Sequence, residues 1–261
     1  MQTPIIVGLA GKAGAGKTVT ARGMAKQGTI GVEGSQELLW DHSFFALPLY
    51  EFVSHRRNIM GPDASQRQLY ETMKTLLKMF PSPLYGGPSF DELVEMTYEI
   101  VEAPMPLDSD EKPRTFMQTV GRLCRDQQED VFARYIEGLF KRRGIQLMTE
   151  YNRDGELDYN YIMLVSDLRY QNEAEMILRQ KNGMVIKLEA SQDVLTERIL
   201  KRDKKAMTPE QMAHESEQGI DFIPYTATLD TDNLSIKDQV LEVRTMILDH
   251  FKLQRDSTHA N

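Results

Sequence analysis

Short runs of apolar residues recur along the chain. Ile5 to Ala10 is an unbroken apolar run that stops at Gly11, and two similar runs cover residues 161–165 and 184–188. Runs of this length are typical of strands that are buried on both faces of a parallel sheet. Together with two weaker patterns they predict five strands, at 5–10, 37–40, 161–165, 184–188 and 226–230.

Between these strands the apolar residues recur every three or four positions, which predicts helices. Ser89, with Glu92 three residues later, predicts a capping box at the start of a helix that runs to Val101. Residues 145–159 are polar and contain Gly and Asp, so we expect a loop there. The predicted helices are 18–26, 47–57, 66–80, 89–101, two within 114–143, 173–181, 192–202 and 236–251.

The length of 261 residues suits one large α/β domain that spans the chain, 1–261. Six of the eleven prolines lie between positions 81 and 113, so residues 61–113 are predicted to be an insertion of loops and helices. This stretch is too short to bury a core of its own. The polar tail, 253–261, is predicted to fray.

Composition narrows the class of protein. The formal net charge of -8 argues against general nucleic-acid binding, because that affinity comes from clustered Lys and Arg. The single cysteine, Cys124, excludes an intramolecular disulfide. No apolar run approaches the roughly 18 residues that span a bilayer, and the N-terminus lacks the features of a signal peptide. We therefore expect a cytoplasmic enzyme with no membrane partner and no stable nucleic-acid partner.

The first strand is followed by a complete phosphate-loop motif, GxxxxGK[ST], from Gly11 to Thr18. Small residues let the main chain wrap closely around phosphate, and the next helix presents its positive end. Lys17 is expected to reach the β- and γ-phosphates of ATP, and the Thr18 hydroxyl to bind Mg²⁺. The predicted nucleotide-binding residues are Gly11, Ala13, Gly14, Ala15, Gly16, Lys17, Thr18 and Val19.

This motif refines the fold prediction to a P-loop NTPase three-layer sandwich, with a mainly parallel central sheet and a helical lid or insertion. It does not by itself separate kinases from GTPases or motors. No Asn-Lys-x-Asp guanine signature is found, and Val165-Ser166-Asp167 would serve as the acidic strand end of a motor. Chain length and layout favour a small-molecule kinase.

A kinase must also hold a second anionic group, that of the acceptor, in line with the phosphates of ATP. Arg114, Arg122 and Arg125 lie on one predicted helix and are candidates to clamp an acceptor phosphate. Gln118 lies one turn after Arg114, and its amide can read the edge of a base. The alternative is a solvated basic helix face.

Two further clusters are candidates for the reaction. Asp167 and Arg169 directly follow a strand, where ligands gather in open α/β sheets. Asp167 can hold Mg²⁺ through water or bind a sugar hydroxyl, and Arg169 can clamp phosphate, although a local ion pair or helix cap is an equal alternative. The remaining candidates are Asp41, for the substrate, and Arg198 and Arg202, which resemble the lid arginines of small kinases. Because Lys201, Lys204 and Lys205 lie beside these two arginines, a solvated basic patch is an equal alternative.

Three motifs follow the phosphate loop in a particular order: Arg114-x-x-x-Gln118-x-x-Gly-x-x-x-Arg125, then Asp167-Leu-Arg169-Tyr-Gln-Asn-Glu, then His214-Glu-Ser-Glu217-Gln-Gly. In this order they resemble those of bacteriophage deoxynucleoside monophosphate kinases. The resemblance extends from the phosphate loop to the last helix and is weakest over 61–113.

The resemblance implies transfer of the ATP γ-phosphate to a deoxynucleoside monophosphate, with Mg²⁺, in the host cytoplasm. It implies that Arg114, Gln118 and Arg125 hold the acceptor and that Asp167 and Arg169 lie at the reacting centre. His214 and Glu217 would belong to a segment that closes near the acceptor. Tyr50 departs from the pattern, since such kinases often carry Lys there. The expected partner is a small nucleotide, and the sequence leaves open whether the protein forms a homodimer.

Two other functions fit the same sequence. One is a P-loop kinase of a different acceptor, such as a modified base in DNA, a coenzyme precursor or a small metabolite. The other is a nucleotide-dependent regulatory or assembly module, which would hydrolyse ATP slowly without stimulation by an acceptor.

Overall fold

The structure is a computed structural model that describes residues 4–26, 37–105, 113–151, 159–204 and 219–253. These fall into two compact units. One, the sheet unit, comprises residues 1–44 and 137–261, and the other, the helical unit, comprises residues 45–136. The predicted insertion, 61–113, falls wholly within the helical unit.

Five strands form the sheet, in the order β2-β3-β1-β4-β5, and every neighbouring pair is parallel. The predicted α/β class with a parallel central sheet is confirmed. The strands are β1 Ile5–Ala10, β2 Glu37–Ser43, β3 Tyr159–Leu168, β4 Gly183–Glu189 and β5 Ala227–Asp230. The helices are α1 Lys17–Lys26, α2 Leu47–Asn58, α3 Ala64–Met79, α4 Phe90–Glu102, α5 Arg114–Gln127, α6 Val131–Tyr151, α7 Gln171–Leu178, α8 Gln192–Asp203 and α9 Ile236–His250.

Helices cover both faces of the sheet, which explains why every residue of β1 is buried. Val7 and Leu9 join a core with residues of α1 and α9 on one face. Gly8 points to the other face, where a Cβ would lie 2.7 Å from Cδ1 of Ile177 in α7. A third layer therefore packs so closely on β1 that a larger residue at this position would displace neighbouring side chains.

The helical unit is built on α2 to α5 and the start of α6. Helix α3 packs against α2 and α4, and α2 packs against α5. The predicted capping box is confirmed: the Ser89 hydroxyl accepts from Glu92 N at 3.3 Å, and the Glu92 carboxylate accepts from Ser89 N at 2.7 Å. The Arg56 guanidinium donates to the carbonyls of Ile100 and Ala103 and so ties α2 to the end of α4.

The predicted loop at 145–159 is wrong in its first half, because α6 continues to Tyr151. Gly144, at the boundary of that predicted loop, lies inside α6. A Cβ at Gly144 would lie 2.9 Å from Cγ of Pro4, so the glycine serves close packing rather than helix termination. Residues 152–158 and the predicted frayed tail from 254 onward lie outside the described residues.

Within the described ranges, no helix combines the length and the apolar character that crossing a membrane requires.

Candidate phosphate-binding site

The phosphate loop lies at the carboxyl end of β1, between that strand and α1. Strand β1 leads to β2 on one side of the sheet, whereas its neighbour β3 leads to β4 on the other side. Ligands of open α/β sheets bind where the strand order reverses in this way. The topology therefore puts the loop at the position where a binding crevice is expected.

Three glycines give the loop its shape. Gly11, Gly14 and Gly16 have φ of +140°, +89° and +95°, which side chains other than glycine rarely adopt. Space is also restricted, since a Cβ at Gly11 would lie 2.4 Å from the Leu188 carbonyl oxygen, and one at Gly14 would lie 2.9 Å from that of Leu195. Ala13 and Ala15 complete the buried part of the loop.

Lys17 is the first residue of α1 and is only 7% exposed. Its ammonium folds back over the loop and donates to the Lys12 carbonyl at 3.0 Å and to the Gly11 carbonyl. The hydroxyl of Thr20 and its N–H both bond the Gly16 carbonyl at 3.0 Å, which begins the helix ladder. The N–H groups of Thr18 and Val19 precede that ladder, and the positive end of a helix is suited to an anion.

Thr18 and Val19 are exposed in this first turn. A hydroxyl at this point can ligate Mg²⁺ together with phosphate oxygens. Among the described residues, no group of three or more His, Cys, Asp or Glu side chains is placed to hold a metal without such help. The glycine cradle and the accessible Thr18 hydroxyl fit a Mg²⁺–triphosphate better than a metal held by protein ligands alone.

A pocket of about 290 Å³ borders the loop. Asp221 bridges two lysines there, with its carboxylate 3.3 Å from Lys12 Nζ and 3.7 Å from Lys187 Nζ. Burial lowers the pKa of Lys187, but its hydrogen bond to Glu189 and the two carboxylate charges raise it by more. The lining residues are Gly11, Lys12, Ala15, Lys187, Leu188, Glu189, Ala190, Leu195, Ile220 and Asp221.

Sequence reasoning missed Lys187, Asp221 and also Gln239, whose amide contacts the loop. A signal was present for two of them. Lys187 is a charge inside the apolar run 184–188, and Gln239 is a polar residue at helical spacing with Val243 and Ile247. Polar residues in apolar stripes are candidates for function because their burial needs a partner.

Asp167 and Arg169 lie half-buried at the end of β3, beside β1. The turn that follows is held by the buried Glu173 carboxylate, which accepts from the N–H groups of Arg169 at 2.9 Å and Tyr170 at 3.1 Å. The structure therefore places these two candidates at the same edge of the sheet as the phosphate loop. A buried carboxylate fixes the main chain that carries them.

His42, near the end of β2, lies with Nε2 2.7 Å from the Ser166 hydroxyl. Burial and the charge of Arg22 lower its pKa, against a smaller opposing effect of Asp167 and Asp41.

Asp41 itself accepts from the Tyr161 hydroxyl at 2.9 Å and pairs with Arg143 at 2.5 Å. Burial and this carboxylate raise the pKa of Tyr161. The proposed substrate role of Asp41 would compete with these contacts.

The candidate lid arginines have partners within the sheet unit. Arg198 donates to the hydroxyl of Thr231 at 3.0 Å and to its carbonyl at 2.5 Å, which ties α8 to the chain after β5. Arg202 forms two bonds, of 2.6 and 2.7 Å, to the carboxylate of Asp203. Their role over a triphosphate stays a prediction. His214 and Glu217 lie outside the described residues.

The acceptor candidates belong to the helical unit. Arg114, Gln118 and Arg125 share one face of α5. The Arg125 guanidinium lies 4.7 Å from the Phe132 ring centroid and donates to the Gly121 carbonyl at 3.3 Å. Arg122 is exposed and pairs with Asp126 at 3.2 Å. Tyr50, the departure from the resembled pattern, is 39% exposed on α2.

No protein-family model matches the chain, and no curated protein matches it either. Among solved structures it is similar to TT1252 from Thermus thermophilus, with 15% identity, a TM-score of 0.42 and coverage of 95% of this chain and 98% of that one. It is also similar to an uncharacterized protein from Eubacterium ventriosum, with 9% identity, a TM-score of 0.36 and coverage of 93% and 98%. A shikimate kinase from Acinetobacter baumannii, in complex with shikimate, shows 11% identity, a TM-score of 0.38 and coverage of 95% of both chains.

Proposed function

We propose that the protein is a Mg²⁺-dependent kinase that transfers the γ-phosphate of ATP to a deoxynucleoside monophosphate. The observation that carries this proposal is the loop between β1 and α1. Its three left-handed glycines, its buried Lys17 and the N-terminal end of α1 form a cradle suited to a triphosphate. The order of the later motifs, which resembles that of phage deoxynucleoside monophosphate kinases, supports the choice of acceptor.

In this function the residues of the sheet unit act by positioning and by charge. Loop N–H groups bind the phosphates, and Lys17 exchanges its carbonyl partners for β- and γ-phosphate oxygens. Thr18 would hold Mg²⁺, and the bound ion would neutralise part of the phosphate charge. Asp167 would orient the attacking oxygen of the acceptor, and Arg169 would bind phosphate as it gains charge.

The helical unit would supply recognition of the acceptor through α5. Guanidinium groups bind phosphate in a bidentate manner, and a side-chain amide can pair with a base edge. Arg125 is well prepared for this role, because its stacking on Phe132 limits its rotamers before the ligand arrives. Gln118 is exposed on the same helix and is available to a base.

The test is to incubate the protein with ATP, Mg²⁺ and each deoxynucleoside monophosphate in turn, and to measure ADP and diphosphate formation. Strong stimulation by one or a few acceptors, lost in EDTA, is the expected result. Stimulation by DNA or by another metabolite instead would move the assignment to a different acceptor. ATP binding with slow hydrolysis that no acceptor stimulates would overturn the kinase function in favour of a regulatory module.

A further inference from the structure

Gln239 is a buried polar residue that the function described so far does not use. It lies in the first turn of α9 and is only 2% exposed. Its helix begins at Ser235, whose hydroxyl accepts from Asp238 N at 3.2 Å, so this turn has a fixed start. An amide buried to this degree is costly unless it is hydrogen-bonded. The group that the Gln239 amide hydrogen-bonds therefore indicates the role of this residue.

That partner is the phosphate loop. The Gln239 amide nitrogen donates to the Ala15 carbonyl at 3.1 Å. The ladder of α1 begins one residue later, with the bond from Thr20 N to the Gly16 carbonyl, so the Ala15 carbonyl lies outside it. The amide also packs against Gly16, where a Cβ would lie 2.6 Å from the same nitrogen. The final helix thus contacts the loop immediately before Lys17.

This hydrogen bond controls the direction of a phosphate-binding group. The peptide between Ala15 and Gly16 is trans, as are all peptides in the described residues. In a planar trans peptide the carbonyl and the N–H point in opposite directions. A side chain that fixes the Ala15 carbonyl therefore fixes the Gly16 N–H on the opposite side, away from Gln239. Without that bond the peptide is free to rotate, helped by the permissive dihedrals of Gly16.

We propose that Gln239 is a positioning residue that holds the Ala15–Gly16 peptide with its N–H turned toward the bound phosphates. It acts on the loop and not on the ligand. This inference rests on the proposed function only for the identity of the triphosphate. Because the contact exists within the protein alone, its effect on the loop is measurable whatever the ligand is.

Two variants test it. Gln239→Met keeps much of the volume but removes the donor, and Gln239→Glu keeps the shape but sets a carboxylate against the Ala15 carbonyl. Val243→Ala is the matched control, because Val243 is fully buried one turn later in the same helix and belongs to the packed core. All three are expected to lower the melting temperature. Only the Gln239 variants are expected to alter the loop.

The first measurement is hydrogen exchange of the peptide that covers residues 11–18, in the protein without nucleotide. Faster exchange there in Gln239→Met and Gln239→Glu, with no change in Val243→Ala, is expected. The second is calorimetric titration with ATP and Mg²⁺, without any acceptor. We expect affinity to fall about tenfold in Gln239→Met, more in Gln239→Glu, and less than twofold in Val243→Ala.

Unchanged loop exchange in both Gln239 variants would overturn the inference, and so would a fall in affinity equal to that of Val243→Ala. A faster-exchanging loop in a protein that shows no kinase activity would uphold the inference while the proposed function fails. If Gln239→Glu does not fold, Gln239→Met gives the answer alone.

Discussion

In the proposed function, the phosphate loop and the arginine face of α5 would bind phosphate in two different ways. In the loop the binding groups would be main-chain N–H groups, whose directions are set by three left-handed glycines. On α5 the binding groups would be long side chains on a regular helix, and each keeps its freedom unless a neighbour restricts it. Arg125 is restricted by Phe132, whereas Arg122 is exposed and paired with its own helix.

The two sites differ in when they lose conformational entropy, which the loop loses on folding and the arginines of α5 would lose on binding. Fixing an arginine costs up to about 2 kcal/mol of rotamer entropy at the moment of binding. The loop has already lost its backbone freedom on folding, at the expense of stability. Changes in the loop should therefore affect catalysis and stability strongly, while changes on α5 should affect mainly the affinity for the acceptor.

The largest effect is expected for Lys17→Ala. This substitution removes the cation that the loop holds over its own carbonyls, and with it the charge that stabilises the transferring phosphoryl group. We expect the rate of phosphoryl transfer to fall by at least about 10³-fold, with near-UV circular dichroism unchanged. The measurement is single-turnover formation of diphosphate.

Lys12→Ala is the control for that experiment. Lys12 belongs to the same loop, but its side chain is 44% exposed and pairs with Asp221 at 3.3 Å. Exposed pairs contribute little, so the rate should change by only a few fold. Equal losses in both variants would mean that the burial of Lys17 has no special role.

The next effect concerns stability. Gly11→Ala introduces a Cβ 2.4 Å from the Leu188 carbonyl oxygen at a φ of +140°, so strain and overlap combine. We expect a loss of about 3 kcal/mol in the free energy of unfolding. Gly61→Ala in the helical unit is the matched variant, since Gly61 has a φ of +102° with nothing within 4 Å of the added Cβ.

Gly61→Ala should cost only about 1 kcal/mol, from the backbone conformation alone. Urea unfolding of both variants measures the difference. A cost at Gly61 as large as that at Gly11 would show that the φ angle, and not the crowding of the loop, dominates.

The same contrast explains what could be predicted from the sequence. The phosphate loop was predictable residue by residue, because its geometry depends on local glycines and on the strand and helix next to it. The three apolar runs likewise located β1, β3 and β4, since burial on both faces leaves such runs, and weaker patterns located β2 and β5. Local signals sufficed wherever the cause of the structure was local.

The predictions that failed, or were never made, depend on distant partners. The loop predicted at 145–159 overlooked the end of α6, near which Gly144 packs against Pro4, 140 positions away in the sequence. Gln239 could be noticed as a polar residue in an apolar stripe, but its partner, Ala15, lies 224 positions away. Contacts between remote segments leave no periodicity in one sequence, so only the packed structure reveals which group such a residue binds.

A smaller effect is expected on α5. Arg125→Ala removes a guanidinium held by Phe132 and by the Gly121 carbonyl, so we expect KM for the acceptor monophosphate to rise about tenfold. KM for ATP should not change. Arg122→Ala is the control on the same helix, and its exposed pair with Asp126 predicts less than a twofold change in either constant.

Steady-state kinetics with each substrate varied in turn distinguish these outcomes. An equal effect of both arginine substitutions would indicate a general influence of positive charge on α5. In that case preorganisation of Arg125 by Phe132 would have no part in acceptor binding.

The smallest effect concerns pH and compares one histidine from each unit. Burial is the main cause that lowers the pKa of both His42 and His55 below the ordinary value of 6.5. The unfolded chain therefore takes up protons more readily than the folded protein as pH falls through 6.5 toward the folded pKa values. The free energy of unfolding should keep its full value above pH 6.5 and decrease as the pH falls from 6.5 toward the folded pKa values.

We expect the melting temperature to fall by a few degrees between pH 7.5 and pH 5.5, given that 1 kcal/mol corresponds to roughly 2–4 °C in a chain of this size. His42→Gln and His55→Gln should each reduce that fall. His42 is more deeply buried and bonded to the Ser166 hydroxyl, so its substitution should reduce the fall more. If His55→Gln has the larger effect, or neither substitution has any, desolvation of His42 at the end of β2 is not what couples stability to pH.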